Sequence, residues 1–227
     1  MKMSMRKNQM GFTLVEIAIV LVIIGLLLGG VLKGTELIEN SKVKRGANEI
    51  NGITAAFYSY QDRYQRLPGD DGPVATLNAR GGSWASVTAG STAPNGLIAS
   101  NLGQTFTAPN GEPSGFWQHL RAAGFINGDV KLTGAAALPT NAFGGLIGFT
   151  SGTVGNPTSP ISSRVVCLSQ VPGKSAAALD VQLDDGLGNT GRIRGTLGAA
   201  GANTAPTAAA FADPYNETSV YTLCVQM

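Results

Sequence analysis

The run GFTLVEIAIVLVIIGLLLGG, from Gly11 to Gly30, constrains this chain more than any other feature. From Phe12 to Leu32 it is apolar except for Thr13 and Glu16. Twenty-one residues in a helix reach about 31 Å, the thickness of a bilayer's hydrocarbon core. A carboxylate inside such a span is costly unless something offsets its charge, so Glu16 needs a partner. A secretory signal peptide fits poorly. It would have an apolar stretch of about 7–15 residues and then a small-residue cleavage site. Here the run is longer, no A-x-A site follows, and a polar helical stretch begins at Lys33. The span is expected to remain on the mature chain.

Flanking charge does not orient it. Lys2, Arg6 and Lys7 precede the run, while Lys33, Lys42, Lys44 and Arg45 follow it, mixed with Glu36 and Glu39. The cysteines supply the argument instead. There are two, Cys167 and Cys224, too few for a structural zinc site. In an exported chain they read as one disulfide closing a loop of 58 residues, worth roughly 4 kcal/mol in the chain-entropy model. Two unrelated buried cysteines are the alternative. A disulfide needs an oxidising compartment, which places the N-terminus in the cytoplasm and the rest outside.

A basic leader, then Gly11, then Phe12-Thr13-Leu14-Val15-Glu16 opening an apolar span, resembles the type IV pilin and type II secretion pseudopilin family. The resemblance implies a prepilin peptidase that cuts after Gly11 and methylates Phe12, the first residue of a 216-residue mature chain. It also implies a role for Glu16. Cleavage frees the Phe12 amine, whose ordinary pKa is near 8. If the amine of one subunit meets Glu16 of its neighbour, both charges are offset and the axial register of packed helices is set. The residues themselves leave a second reading open. Thr13-Leu14-Val15-Glu16 matches the capping-box pattern, in which Glu16 accepts from the Thr13 backbone N–H.

The helical pattern runs on past the span. Val43, Gly46, Ile50, Ile53, Phe57, Tyr60 and Tyr64 recur at intervals of three and four, one apolar stripe, with Lys42, Lys44, Arg45, Glu49 and Arg63 on the wet face. The helix is predicted to stop near Tyr64, before Leu67-Pro68-Gly69-Asp70. A coiled-coil seam and a spine for a sheet both fit such a stripe. The aromatics at its end favour the sheet. Many pilins carry a proline about twenty residues after the cleavage site; this chain has Lys33-Gly34, and Gly29, Gly30 and Gly34 are expected to loosen the helix.

The remainder reads as a small β domain. Residues 68–113, rich in Gly, Ser, Thr, Asn and Pro, are expected as a loop-rich surface excursion. Ser114–Gly124 reads as a short helix with Ser114 as N-cap and Gly124 just past its end. Strands are predicted at 145–150, 163–168, 190–196 and 218–226, with a turn and short helix over Val171–Asp180. Cys167 and Cys224 fall on the second and last strands. Residues 166–195 also resemble the C-terminal part of minor-pilin-like members. The fold expected is α+β: leader 1–11, membrane and assembly half of the helix 12–33, amphipathic half 34–66, and pilin-like β domain 67–227.

Little chemistry emerges. Gly186, Gly188 and Gly191 match G-x-G-x-x-G, but after a helix and before a strand, the reverse of the dinucleotide context. Asp180, Asp184 and Asp185 cluster without EF-hand spacing. Some pseudopilins hold calcium in this region, so the resemblance makes these three calcium candidates; a solvated turn, or Asp184 capping backbone N–H groups, is the other reading. His119 is the sole histidine and reads as an ordinary residue. The sequon Asn216-Glu217-Thr218 is set aside as a chance match. Charged residues are 13% of the chain, and without the three before Gly11 the balance is 13 basic against 14 acidic, so no nucleic-acid surface is expected. No catalytic constellation appears.

The expectation is a non-catalytic minor-pilin-like subunit of a type IV pilus filament, a fibre that adheres, retracts or takes up DNA. Its partners would be other pilins, the prepilin peptidase and the inner-membrane assembly platform. It would be a single-pass inner-membrane precursor, then part of an extracellular or periplasmic filament. A type II secretion pseudopilin is the alternative. A binding module with a pilin-like anchor is the third.

Overall fold

The computed structural model describes residues 13–155, 157–209 and 214–227. The chain forms two compact units, Met1–Ser41 and Lys42–Met227. Gly11 and Phe12, the expected cleavage and methylation positions, lie outside the described residues.

Helix α1 spans Leu14–Tyr64 without interruption, through Gly29, Gly30 and Gly34. The apolar stripe anticipated from spacing is its buried face from Val43 to Tyr60, with Ala47 and Ala56 added, and the last member, Tyr64, is half-buried. Ile50, Phe57 and Tyr60 are almost wholly enclosed. Burial of such side chains contributes about 1.5–3 kcal/mol each. Glycine at 46 has a packing reason: a Cβ there would stand 3.1 Å from the ring edge of Phe143. On the wet face, half-buried Glu49 pairs with Arg45 at 2.9 Å and accepts from the Ala142 N–H at 3.0 Å. The helix ends at Tyr64, and Gln65 takes φ 53°.

The sheet has four antiparallel strands, β1 (Ile147–Thr150), β2 (Val165–Pro172), β3 (Ile193–Leu197) and β4 (Val220–Gln226), in the order β1-β2-β4-β3. Strands β1 and β4 fall within the predicted segments, whereas β2 runs on past 168 through Val171 and Pro172, where a turn is predicted, and β3 ends one residue past 196. The helical part from Lys42 onward shares one core with the sheet, so the stripe is a spine and not a coiled-coil seam. A stack of rings joins the two. Phe57 on α1 lies 6.3 Å from Phe116 on helix α3 (Glu112–Ala122), and Phe116 lies 4.1 Å from Phe149 on β1.

Helix α3 starts earlier than expected. Its N-cap is Gly111, with Pro113 in the first turn, where a missing N–H costs nothing. Ser114 is therefore inside the helix and buried, not the cap. The end is as expected: Gly124 takes φ 78°, and Phe125 N–H returns to the Leu120 carbonyl at 3.0 Å, a Schellman closure. Helix α4 (Gly173–Leu183) supplies the predicted helix between β2 and β3.

The 68–113 stretch is loop-rich but is not a surface excursion. It contains helix α2 (Val74–Asn78) and two short 3-10 turns, and it sends Leu77, Trp84, Val87, Ile98 and Phe106 into the core. It is tied down by buried polar groups. Asp71 accepts from the Tyr60 hydroxyl at 2.7 Å and pairs with Arg80 at 2.9 Å. Burial, then the bond to Asp71, pushes the Tyr60 phenol up. His119, fully enclosed, accepts from Gly69 N–H at Nδ1 and therefore donates from Nε2 to the Ala89 carbonyl, both at 2.9 Å. Desolvation dominates its titration and lowers its pKa to about 4.

Cys167 and Cys224 are directly opposite across β2 and β4 and form a disulfide, both fully buried. Replacing both by alanine is expected to lower stability by about 2–4 kcal/mol in denaturant melts, and a reductant alone should release no thiol from the folded protein. His119 gives a second expectation. Its ordinary pKa is 6.5, so between pH 6.5 and about 4 the unfolded chain binds the proton and the folded one does not. Stability is complete above that window and falls as pH drops, by about 2 kcal/mol from pH 7 to pH 5. Urea melts check this, and a profile flat over that range contradicts it.

Candidate functional site

The described start of α1 is the place where the sequence concentrates function. Thr13 is the N-cap and Glu16 the third helical residue. Glu16 Oε2 accepts from the Thr13 backbone N–H and from Thr13 Oγ1, both at 2.8 Å, and Glu16 N–H donates to Thr13 Oγ1 at 3.3 Å. This is a complete capping box, reinforced by the hydroxyl. It also places a negative charge in the first turn, where the helix dipole favours it. Both donors converge on one oxygen. Glu16 Oε1 makes no hydrogen bond among the described residues, so the carboxylate is held in place with one face open to a further donor.

Around it the surface is apolar and uncovered. Leu14 is 87% exposed and Leu26 77%, and residues 13–33 are all exposed. Among the described residues α1 is the one helix long and apolar enough to cross a membrane. Such a face has two uses, a lipid environment or the same face of other helices. In either, an anchored carboxylate with an unused oxygen attracts a cation.

Residues 6–32 match the family model described as the prokaryotic N-terminal methylation motif. The chain carries a prepilin-type N-terminus. This motif is the hallmark of type IV pilin and pseudopilin precursors, which are structural subunits. It implies processing by a prepilin peptidase and assembly with other pilin subunits. A prepilin-type segment followed by an apolar helix fits a membrane-anchored precursor. The match covers the N-terminal segment alone, and no curated protein matches the chain.

The second cluster anticipated from sequence, Asp180, Asp184 and Asp185, does come together. One oxygen from each lies within 4.8 Å of the others. The carboxylates are already engaged, however. Asp180 accepts from the Tyr215 hydroxyl at 2.6 Å and Gly186 N–H at 2.9 Å; burial is the largest influence on its carboxyl and pushes it up. Asp184 accepts from Arg192 and Ile193 N–H, the backbone capping foreseen as the alternative. Asp185 accepts from Leu187 N–H at 2.9 Å and from the Thr190 hydroxyl at 2.6 Å. Calcium takes six to eight oxygen ligands, and these three carboxylates already accept from local donors. The arrangement serves as a knot that fixes the 184–192 turn onto β3.

What the spacing of residues did not foresee is the hydroxyl arm of Thr13 and the buried Asp180–Tyr215 bond. The second joins positions 35 apart in sequence and leaves no local signal. Asp180→Leu is expected to destabilise the domain by about 1–3 kcal/mol, because it removes the buried carboxylate that accepts from the Tyr215 hydroxyl and Gly186 N–H. Millimolar calcium is expected to leave the melting temperature unchanged. Calorimetry with and without chelator measures both, and a calcium-dependent rise would favour the ion-site reading.

Proposed function

We propose that this chain is a minor-pilin-like structural subunit of a type IV pilus-type filament. It is inserted in the inner membrane as a single-span precursor, cut after Gly11, methylated on Phe12 and assembled through α1. Its assembly partners are other pilins and the inner-membrane platform, and its role is non-catalytic. The low charge and abundant hydroxyls of the globular unit suit a surface displayed on a fibre.

The observation that carries this reading is the geometry at Glu16. Thr13 holds one carboxylate oxygen and leaves the other available. In an apolar bundle an unpaired carboxylate and an unpaired amine each cost a few kcal/mol. A neighbour's Phe12 amine, freed by cleavage, offsets both costs at once and fixes the stagger between helices. The capping and pairing roles of Glu16 are thus compatible, one within the chain and one between chains.

Glu16→Gln separates them. Glutamine still accepts from Thr13 but carries no charge. The variant is expected to be cut and methylated normally, with mass spectrometry showing methylated Phe12, yet to enter sheared filaments at least about tenfold less than the parent, since a loss of 1.4 kcal/mol is already tenfold. Normal incorporation of the Gln variant contradicts the pairing. A retained Met1 contradicts the processing.

A further inference from the structure

A groove on the Lys42–Met227 unit runs past Gly96 and Arg164. Its larger part, about 590 Å³, lies between the Asn95–Ala99 loop and Ser151 with Ser162–Arg164. Its smaller part, about 260 Å³, continues beside Gln61, Gln65 and Arg66 at the end of α1. The walls are fixed independently of anything inside. Asp70 accepts from Asn95 N–H at 3.0 Å and Gly96 N–H at 2.7 Å, which fastens one end of the loop. Ser151 Oγ lies 2.5 Å from the Ile98 carbonyl oxygen and 2.8 Å from that of Ser100, which fastens the other. A wall ordered in advance spares a ligand the entropy of ordering it.

Two groups at this groove lack partners. The Arg164 guanidinium makes no ion pair and no side-chain hydrogen bond among the described residues. It packs over the Phe57 ring at 5.3 Å, a contact that fixes its plane and leaves its N–H edges unused. Ser163 Oγ is buried without a hydrogen-bond partner. A stranded hydroxyl costs about 1–3 kcal/mol, and a turn about its χ1 offers it to a ligand. Arg164 is the sole charge lining the larger part; Asp70, in the smaller part, is committed to the loop. Leu97, 70% exposed, adds an apolar ledge.

We infer that this groove binds an acidic saccharide. Its carboxylate meets the Arg164 fork, its hydroxyls meet Ser162, Ser163 and Asn95, and a C–H face of the ring lies on Leu97. A bare anion uses the arginine and ignores the hydroxyls. A neutral sugar does the reverse. The site stands on residues of the Lys42–Met227 unit alone, so it is independent of the assembly reading.

The test is calorimetric titration of the full chain in detergent with glucuronate, glucose and inorganic phosphate. Glucuronate is expected to bind saturably and at least about tenfold more tightly than either of the others. Arg164→Lys keeps the charge but loses the planar fork, and should weaken glucuronate about fivefold or more. Ser163→Ala should weaken it about threefold without lowering the melting temperature, since it removes an unpaired buried hydroxyl, which keeps the test valid if the arginine variant unfolds. Equal binding of glucose, equal binding of phosphate, no saturable binding, or an unaltered Ser163→Ala variant each overturns the proposal.

Discussion

The ring stack Phe57–Phe116–Phe149 is the contact on which the globular unit depends. It joins the last part of α1 to the sheet through α3, at the centre of the core that all three share. Offset aromatic pairs add about 0.5–1.5 kcal/mol beyond the area they bury. Around that stack Tyr60 carries the helix's influence further, into the 68–113 stretch, through its hydroxyl on Asp71. The polar groups Asp70, Asp71 and His119 then fix a long non-repetitive segment that has too little regular structure to hold itself.

The parts of this architecture that were legible in the sequence are the periodic ones. The stripe from Val43 to Tyr60 repeats at helical spacing, and the four strands alternate with Gly, Pro and Asn turns. Local order announces itself locally. The 68–113 stretch has neither periodicity nor hydrophobic runs, so its core residues Leu77, Trp84 and Ile98 looked like isolated surface positions. Ser114 was misassigned as a cap because a serine ahead of an apolar run has the right local pattern. Gly111 and Pro113 upstream carry the start instead. The groove around Arg164 was invisible because its walls come from four separate parts of the chain.

The N-terminal segment lets one side chain serve two scales in the assembly proposed above. Within the chain Glu16 closes the first turn by accepting from Thr13; in the proposed filament its remaining oxygen would take a neighbour's new amine. A carboxylate that floated freely would lose rotamer entropy on pairing. One already anchored loses less, and the helix start keeps its shape before and after assembly. The threonine, easily dismissed as a minor polar interruption, is what holds the acid in position.

The order of the sheet has a consequence for how the chain matures. The strand in the middle, β4, sits between β2 and β3 yet follows both in sequence. Only the β1–β2 ladder is available before the last strand is present. The rest of the sheet, and the bridge from Cys167, must wait for Val220–Gln226 to arrive. Such a topology keeps the sheet open until its last strand docks, and the docking of that strand is what brings the two cysteines opposite one another.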